Sequence, residues 1–79
     1  MARVLLFGKL ADIAGWRERP VAAATIAALT ELLSTDDPAL GEALRAPGVK
    51  VAVDQQLVSG DAPLTDGSEV AFLPPMSGG

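Results

Sequence analysis

Residues 63–79 read PLTDGSEVAFLPPMSGG, and this stretch decides the expected fold. Asp66-Gly67 is typical of a tight turn, and the apolar residues 70–73 that come after it predict a β-strand. Pro74-Pro75 ends that strand because proline has no N–H group to donate to a β-ladder. The strand is therefore the last element of the domain, and the chain continues beyond it to Gly78-Gly79.

Two further strands are predicted before this stretch. Valine alternates with other residues across 49–53, which is the period-two pattern of a strand with one face in the core. Residues 54–56 are typical of a turn, and residues 57–58 predict a brief return strand. Residues 59–66 form the predicted loop that leads to the last strand.

Two helices in series are predicted in the middle of the chain. Apolar residues recur at i, i+3 and i+7 within 26–33, with Leu32 alongside, and Thr25 is placed to cap this main helix. Asp37-Pro38 then restarts a helix in the favoured order of cap and proline. Pro47-Gly48 is the predicted stop of the second helix.

The N-terminal region predicts two strands with a short connector. Residues 4–7 are an unbroken apolar run, which favours a strand that is covered on both faces. Residues 9–14 have the pattern of a single helical turn. Pro20 lies within residues 17–22, so a strand there should be short or lie at an edge. Strands at both ends and helices between them predict an α+β fold, one sheet with the main helix across one face.

Length and composition limit the possible functions. Seventy-nine residues suffice for one domain, and a content of 49% hydrophobic and 20% charged residues is that of a folded protein. The net charge of −4 would be repelled by phosphate backbones. We therefore expect one folded domain that binds no nucleic acid.

The sequence predicts no membrane association. Its apolar runs fall short of the ~20 residues that a membrane span needs, and no signal-peptide cleavage pattern follows Met1. We expect a cytoplasmic protein.

The side chains offer few groups for catalysis. The chain has no His, no Cys and no Tyr, so it lacks the residues that most often titrate near neutral pH or act as nucleophiles, and no metal-ligand cluster is visible. Lys9 and Lys50 are isolated and no glycine-rich phosphate loop accompanies them. The carboxylates at predicted caps and turns are expected to accept backbone hydrogen bonds; these are Asp36, Asp37, Asp54, Asp61, Asp66 and Glu69.

The remaining candidate is the end of the chain, Met76-Ser77-Gly78-Gly79, where the Gly79 carboxylate is the last functional group. Two terminal glycines are in general more often a frayed tail than a working group. The residues by themselves leave both interpretations open.

A family resemblance favours the second interpretation. Leu57-Val58-Ser59 together with residues 63–79 resembles the C-terminal signature of the small subunit of molybdopterin synthase, a sulfur carrier. Residues 4–8 and 10–15 are similar to the first strand and connector of that family. The resemblance implies a ubiquitin-like β-grasp fold with a mixed sheet, divided into a domain of residues 1–73 and an extended arm of residues 74–79.

The resemblance also implies a function. The carboxylate of Gly79 is adenylated by an ATP-dependent, ubiquitin-activating-like adenylyltransferase and converted to a thiocarboxylate. The carrier then docks on a large subunit and donates sulfur to cyclic pyranopterin monophosphate, in a heterotetramer of two small and two large subunits. The carrier itself binds no cofactor, ATP is used by the activating enzyme, and the catalytic side chains belong to the large subunit.

The residues of the arm suit such a role. Glycine has no Cβ, so Gly78 and Gly79 can pass through a channel that is too narrow for a side chain. The residues expected to contact the partner are Leu73, Pro74, Pro75, Met76 and Ser77. Strand alternation pairs Val70 with Phe72, and we expect these two in the core while Leu73 and Met76 lie at the interface.

Three alternatives remain open at this point. The first is a β-grasp carrier for another pathway, such as thiazole formation for thiamine or tRNA thiolation. The second is a ubiquitin-like modifier that is conjugated to lysines of other proteins. The third is an interaction module with an inert tail.

Overall fold

The computed structural model describes residues 1–75 of the chain. These residues form a five-stranded sheet with three helices, and the sheet has the strand order β2-β1-β5-β3-β4. In chain order the elements are β1 (Ala2–Leu6), α1 (Lys9–Ala14), β2 (Glu18–Val21), α2 (Ile26–Asp36), α3 (Pro38–Leu44), β3 (Lys50–Val53), β4 (Gln56–Val58) and β5 (Glu69–Leu73).

The first and last strands lie side by side in the middle of the sheet. β1 and β5 are parallel, with Val4 opposite Val70 and Leu6 opposite Phe72. The other strand pairs are antiparallel, so the sheet is mixed. β2, which contains Pro20, lies at the edge as predicted. The α+β fold expected from the sequence is confirmed.

The core lies between one face of the sheet and the helices. Val70 and Phe72 are 0% and 1% exposed, which confirms their expected place in the core. The cluster around them is made of buried aliphatic side chains from β1 and from all three helices; these include Val4, Leu6, Leu10, Leu29, Leu33, Leu40 and Leu44. This side of the sheet is called the covered face below.

Both predicted helix caps are present. The Thr25 hydroxyl accepts a hydrogen bond from the Ala28 N–H at 3.0 Å, and the Asp37 carboxylate accepts one from the Leu40 N–H at 3.2 Å. Each cap satisfies a backbone donor that has no partner within the first helical turn. α3 ends at Leu44, before the predicted stop at Pro47-Gly48.

Two expectations about burial are wrong. The apolar run of β1 is not covered on both faces by the described residues, because Leu5 is half-buried and Phe7 is 46% exposed. Leu32 is 49% exposed and does not join the apolar side of α2. It lies about 100° around the helix from the buried Leu33 and lines a surface cleft beside Pro20 and Val21 of the edge strand β2.

The prediction that the six carboxylates accept backbone hydrogen bonds is confirmed for three of them, Asp37, Asp54 and Asp61. Asp61 accepts hydrogen bonds from the N–H groups of Ala27 and Ala62, both at 2.9 Å, and Asp54 accepts one from the Glu69 N–H at 3.0 Å. The remaining acidic residues in the predicted set pair with cations: Asp36 with Arg19, Asp66 with the N-terminal amine, and Glu69 with Arg3. Among residues 1–75, no helix is both long enough and apolar enough to cross a membrane.

Candidate docking face and carrier arm

The sheet face opposite the helices carries a row of apolar residues across four strands. Leu5 of β1 lies opposite Ala71 of β5, Ala71 lies opposite Ala52 of β3, and Ala52 lies opposite Leu57 of β4. Residues that are paired across strands point to the same side of a sheet, and neighbours along a strand point to opposite sides. Since Val70 and Phe72 face the helices, this row faces away from them.

The row continues toward the end of the sheet where β1 and β5 finish. Phe7 follows β1, and its N–H donates to the Phe72 carbonyl at 3.2 Å, which prolongs the pairing of the two strands. Leu73 is the last residue of β5 and is half-buried. We call this surface the open face; it comprises Leu5, Phe7, Ala52, Leu57, Ala71 and Leu73.

The open face leaves large apolar side chains in water. Leu57 is 68% exposed and Phe7 is 46% exposed. Single exposed apolar residues are common, whereas a contiguous apolar surface with a polar rim is typical of a protein–protein interface. Among residues 1–75 the helices contribute to the core on the other face, while Ala52 and Ala71 in the middle of the open face are each 8% exposed. The open face is therefore the candidate docking surface.

Charged side chains form the rim at the opposite end. Arg3 makes ion pairs with Glu69 at 2.5 Å and with Glu18 at 3.5 Å. The hydrogen bond that Arg3 donates to the Glu69 carboxylate and the negative charge of Glu18 raise the pKa of Arg3, so this side chain is a cation. Lys50 lies opposite Leu73, so a second cation borders the end where the arm begins.

The predicted partner-binding residues fall into two groups. Leu73, Pro74 and Pro75 lie at one end of the open face, where β5 stops, and the two prolines are half-buried. Met76, Ser77, Gly78 and Gly79 lie outside the described residues. The structure thus brings the base of the arm next to the candidate docking surface.

Sequence reasoning missed most of the open face. Phe7 and Leu5 belong to an apolar run that predicts a strand covered on both faces, and the pattern around Leu57 predicts only a brief return strand. The signal was present in the run itself, because four consecutive apolar residues in a strand place two of them on each face. The second pair needs either another layer of the same chain or a partner.

The architecture is that of a ubiquitin-like β-grasp domain, as the sequence predicted, and solved structures share it. SAMP1 from Haloferax volcanii superposes with a TM-score of 0.86 at 26% identity, covering 99% of this chain and 98% of that chain. The small archaeal modifier protein 1 from Methanosarcina acetivorans gives a TM-score of 0.88 at 22% identity, with 99% and 95% covered, and at this identity shows the fold alone.

Comparison of sequences identifies the family, whereas the likeness of structures shows the fold. The model of the ThiS family matches residues 4–79, so the chain belongs to the ThiS family. It is also 41% identical over 81 residues to the molybdopterin synthase sulfur carrier subunit of Escherichia coli, with 100% of both chains covered. The resemblance noted in the sequence is confirmed by both findings.

Proposed function

We propose that this protein is the sulfur-carrier subunit of a molybdopterin synthase and that the Gly79 carboxylate is its working group. The observation that carries the proposal is the position of the arm. The arm begins at the end of β5 beside the exposed apolar open face, so a protein that covers this face also meets the arm. The 41% identity to the sulfur carrier subunit of E. coli supports the same function.

The first step of the proposal is activation of the carboxylate. A carboxylate is a poor electrophile, so its oxygen must first be turned into a leaving group. The Gly79 carboxylate attacks the α-phosphate of ATP on a ubiquitin-activating-like adenylyltransferase, which gives an acyl adenylate and pyrophosphate. A sulfur donor at the oxidation level of sulfide then attacks the carbonyl and expels AMP, leaving a thiocarboxylate.

The second step is delivery of the sulfur. The open face docks on the large subunit, and the arm presents the thiocarboxylate to cyclic pyranopterin monophosphate in the active site of that partner. The sulfur forms a bond to a side-chain carbon of the pterin precursor while the carbon–oxygen bond at that carbon breaks and its oxygen substituent leaves. Hydrolysis of the carbonyl–sulfur bond then frees the new thiol on the pterin and restores the Gly79 carboxylate with an oxygen from water. Acid–base groups come from the large subunit, since this chain has no His, Cys or Tyr.

The proposal includes the arrangement of the subunits that the family resemblance implies, a heterotetramer of two small and two large subunits. A dithiolene needs two sulfur atoms and each carrier arm ends in one carboxylate, so delivery must occur twice. Gly78 and Gly79 carry no side chain, which suits passage into a narrow channel.

Intact mass spectrometry of the protein purified from its own cells tests the proposal. The expected species is about 16 Da heavier than the unmodified chain because one carboxylate oxygen is replaced by sulfur. Fragmentation should place the added mass on Gly79, and alkaline hydrolysis should remove it. The unmodified carboxylate alone, even after incubation with an activating enzyme, ATP and a sulfur donor, would contradict the proposal.

A second candidate function is conjugation to other proteins. It is favoured by the likeness to SAMP1 from H. volcanii, which is 26% identical to this chain. Its name identifies it as a small archaeal modifier protein. The activated Gly79 would then form an isopeptide bond with a lysine in place of a thiocarboxylate. Digestion of cell extract with trypsin and detection of lysines carrying the C-terminal residues of this chain would distinguish the two. A β-grasp carrier for thiamine thiazole formation or tRNA thiolation would instead carry the thiocarboxylate without rescuing synthase activity.

A further inference from the structure

Two glycines touch the base of the arm from both sides. Gly8 follows β1 and Gly48 precedes β3, and β1 and β3 are the two neighbours of β5 in the sheet. Because β1 runs parallel to β5 and β3 runs antiparallel to it, the end of β1 and the start of β3 both lie where β5 ends. The loops that carry the two glycines therefore flank Pro74 and Pro75.

The contacts leave no room for a side chain. A Cβ atom on Gly48 would lie 2.7 Å from Cβ of Pro75 and 3.6 Å from its Cα, and a Cβ on Gly8 would lie 3.0 Å from Cγ of Pro74. Carbon atoms in favourable contact are about 3.5–4.0 Å apart, so the ring of Pro75 would have to move to admit a Cβ on Gly48. The contact at Gly8 is looser and involves a ring atom that can pucker away.

A positive φ angle alone does not explain why Gly8 and Gly48 lie so close to the two prolines. Gly8 and Gly48 have φ angles of +56° and +89°, in the region that favours glycine, and so do Gly15 and Gly60, at +82° and +77°. A Cβ on Gly15 or Gly60, however, would meet nothing within 4 Å. The close approach to the chain is therefore specific to the two glycines beside the arm.

We propose that Gly8 and Gly48 form a clasp on Pro74-Pro75 that sets the direction in which the arm leaves the sheet. The inference rests on the proposed function, since it assigns these glycines as positioning residues for sulfur delivery. Proline fixes φ near −65°, so holding both rings orients the backbone at this point with little remaining freedom. Once the subunits have docked, a carboxylate that is already aimed reaches the reacting geometry more often, which raises the rate of transfer.

The test compares four alanine variants, each at a glycine with a positive φ. Gly48→Ala and Gly8→Ala disturb the clasp, whereas Gly15→Ala and Gly60→Ala place alanine at a similar positive φ without touching the arm. Each carrier is prepared as its thiocarboxylate by sulfide cleavage of a C-terminal thioester, so that no activating enzyme is needed. Transfer in a single turnover and affinity for the large subunit are then measured separately.

We expect the clasp variants to change the rate of sulfur transfer but not the affinity for the large subunit. Gly48→Ala should slow transfer about tenfold with the Kd for the large subunit unchanged, because the open face is intact while the reacting group is misplaced. Gly8→Ala should have a smaller effect in the same direction, and both control variants should transfer at the wild-type rate. Equal slowing in Gly48→Ala and Gly60→Ala would overturn the clasp, since strain alone would then explain the loss.

A double variant tests the contact itself. Pro75→Gly removes the Cβ that a side chain at residue 48 would meet, so in that background Gly48→Ala should slow transfer no more than Gly60→Ala does. Additive effects of Gly48→Ala and Pro75→Gly would count against the clasp.

A measurement without sulfur chemistry separates this inference from the proposed function. Nuclear Overhauser effects between the Gly48 Hα protons and the Pro75 ring are expected in the wild-type protein and should be lost in Gly48→Ala but kept in Gly60→Ala. Their absence from the wild type would overturn the clasp whatever the carrier does. If the wild type shows these contacts but delivers no sulfur to the synthase, the proposed function fails and the clasp remains as a structural feature.

Discussion

The two faces of the sheet use the same strands for different purposes. On β5, Val70 and Phe72 point into the covered face and are 0% and 1% exposed, while the neighbouring Leu73 points to the open face and is half-buried. The helices fill the space on one side only, so apolar residues contribute to folding there and remain available to a partner on the other side. Because neighbouring residues of β5 point to opposite faces, one residue can stabilise the fold while the next is available to bind a partner.

This separation has a consequence for mutagenesis. A substitution on the covered face should lower the free energy of unfolding and affect the partner only through the amount of folded protein. A substitution on the open face should leave stability nearly unchanged and lower affinity. A substitution of Gly79, the reacting end of the arm, should affect neither, since this residue acts only during transfer.

The largest expected effect is that of Phe72→Ala. Phe72 is 1% exposed and is the largest fully buried side chain of the described residues, so its truncation should cost about 3–5 kcal/mol of unfolding free energy. A small domain has about 5 kcal/mol in total, so the variant should be largely unfolded near 37 °C. Denaturant unfolding followed by circular dichroism measures the change. Leu73→Ala is the matched control on the adjacent residue and should cost about 1 kcal/mol or less.

Gly79→Ala should abolish function without affecting either face. One methyl group is added at the reacting end, and a small misplacement there should lower sulfur transfer about 100-fold or more. The unfolding midpoint and the Kd for the large subunit should remain those of the wild type. Transfer at the wild-type rate in a reconstituted synthase would remove Gly79 from the proposed mechanism.

Leu57→Asp tests the open face directly. Leu57 is 68% exposed, so the variant should fold with nearly wild-type stability, yet a carboxylate buried at an interface without a partner is costly. The Kd for the large subunit, measured by calorimetry, should rise about tenfold or more. Leu32→Asp is the control, because Leu32 is 49% exposed on α2, away from the open face. Equal losses of affinity in the two variants would show that general surface charge, not the open face, controls docking.

Local features of the fold were predictable from the sequence, and long-range ones were less so. The caps at Thr25 and Asp37 follow from side chains that satisfy nearby backbone donors, and the edge position of β2 follows from Pro20. The parallel pairing of β1 with β5 joins residues that are far apart in sequence, and no local pattern specifies it. The resemblance to a family supplied the mixed sheet.

In the candidate site, too, the part made of consecutive residues was predictable and the part assembled by long-range contacts was not. The arm was recognisable because Pro74-Pro75 and Gly78-Gly79 form a compact motif. The open face was not, since Leu5, Phe7 and Leu57 come together only through strand pairing. The clasp of Gly8 and Gly48 was equally hidden, because a contact across two loops leaves no periodic pattern in a sequence.

The smallest expected effect is that of Thr25→Ala, which weakens the covered side without touching its core. At the start of α2, the Ile26 N–H donates to the Ala62 carbonyl and the Ala27 N–H to Asp61, so only the Ala28 N–H loses its partner when the Thr25 hydroxyl is removed. The cost should be about 1 kcal/mol, measured as a lower midpoint of thermal unfolding. Thr25→Ser keeps the hydroxyl and should recover most of that stability. Below the unfolding temperature, the Kd for the large subunit and the rate of sulfur transfer should match the wild type, because α2 lies on the covered face. A lower affinity in folded Thr25→Ala would mean that the two faces are coupled through the sheet.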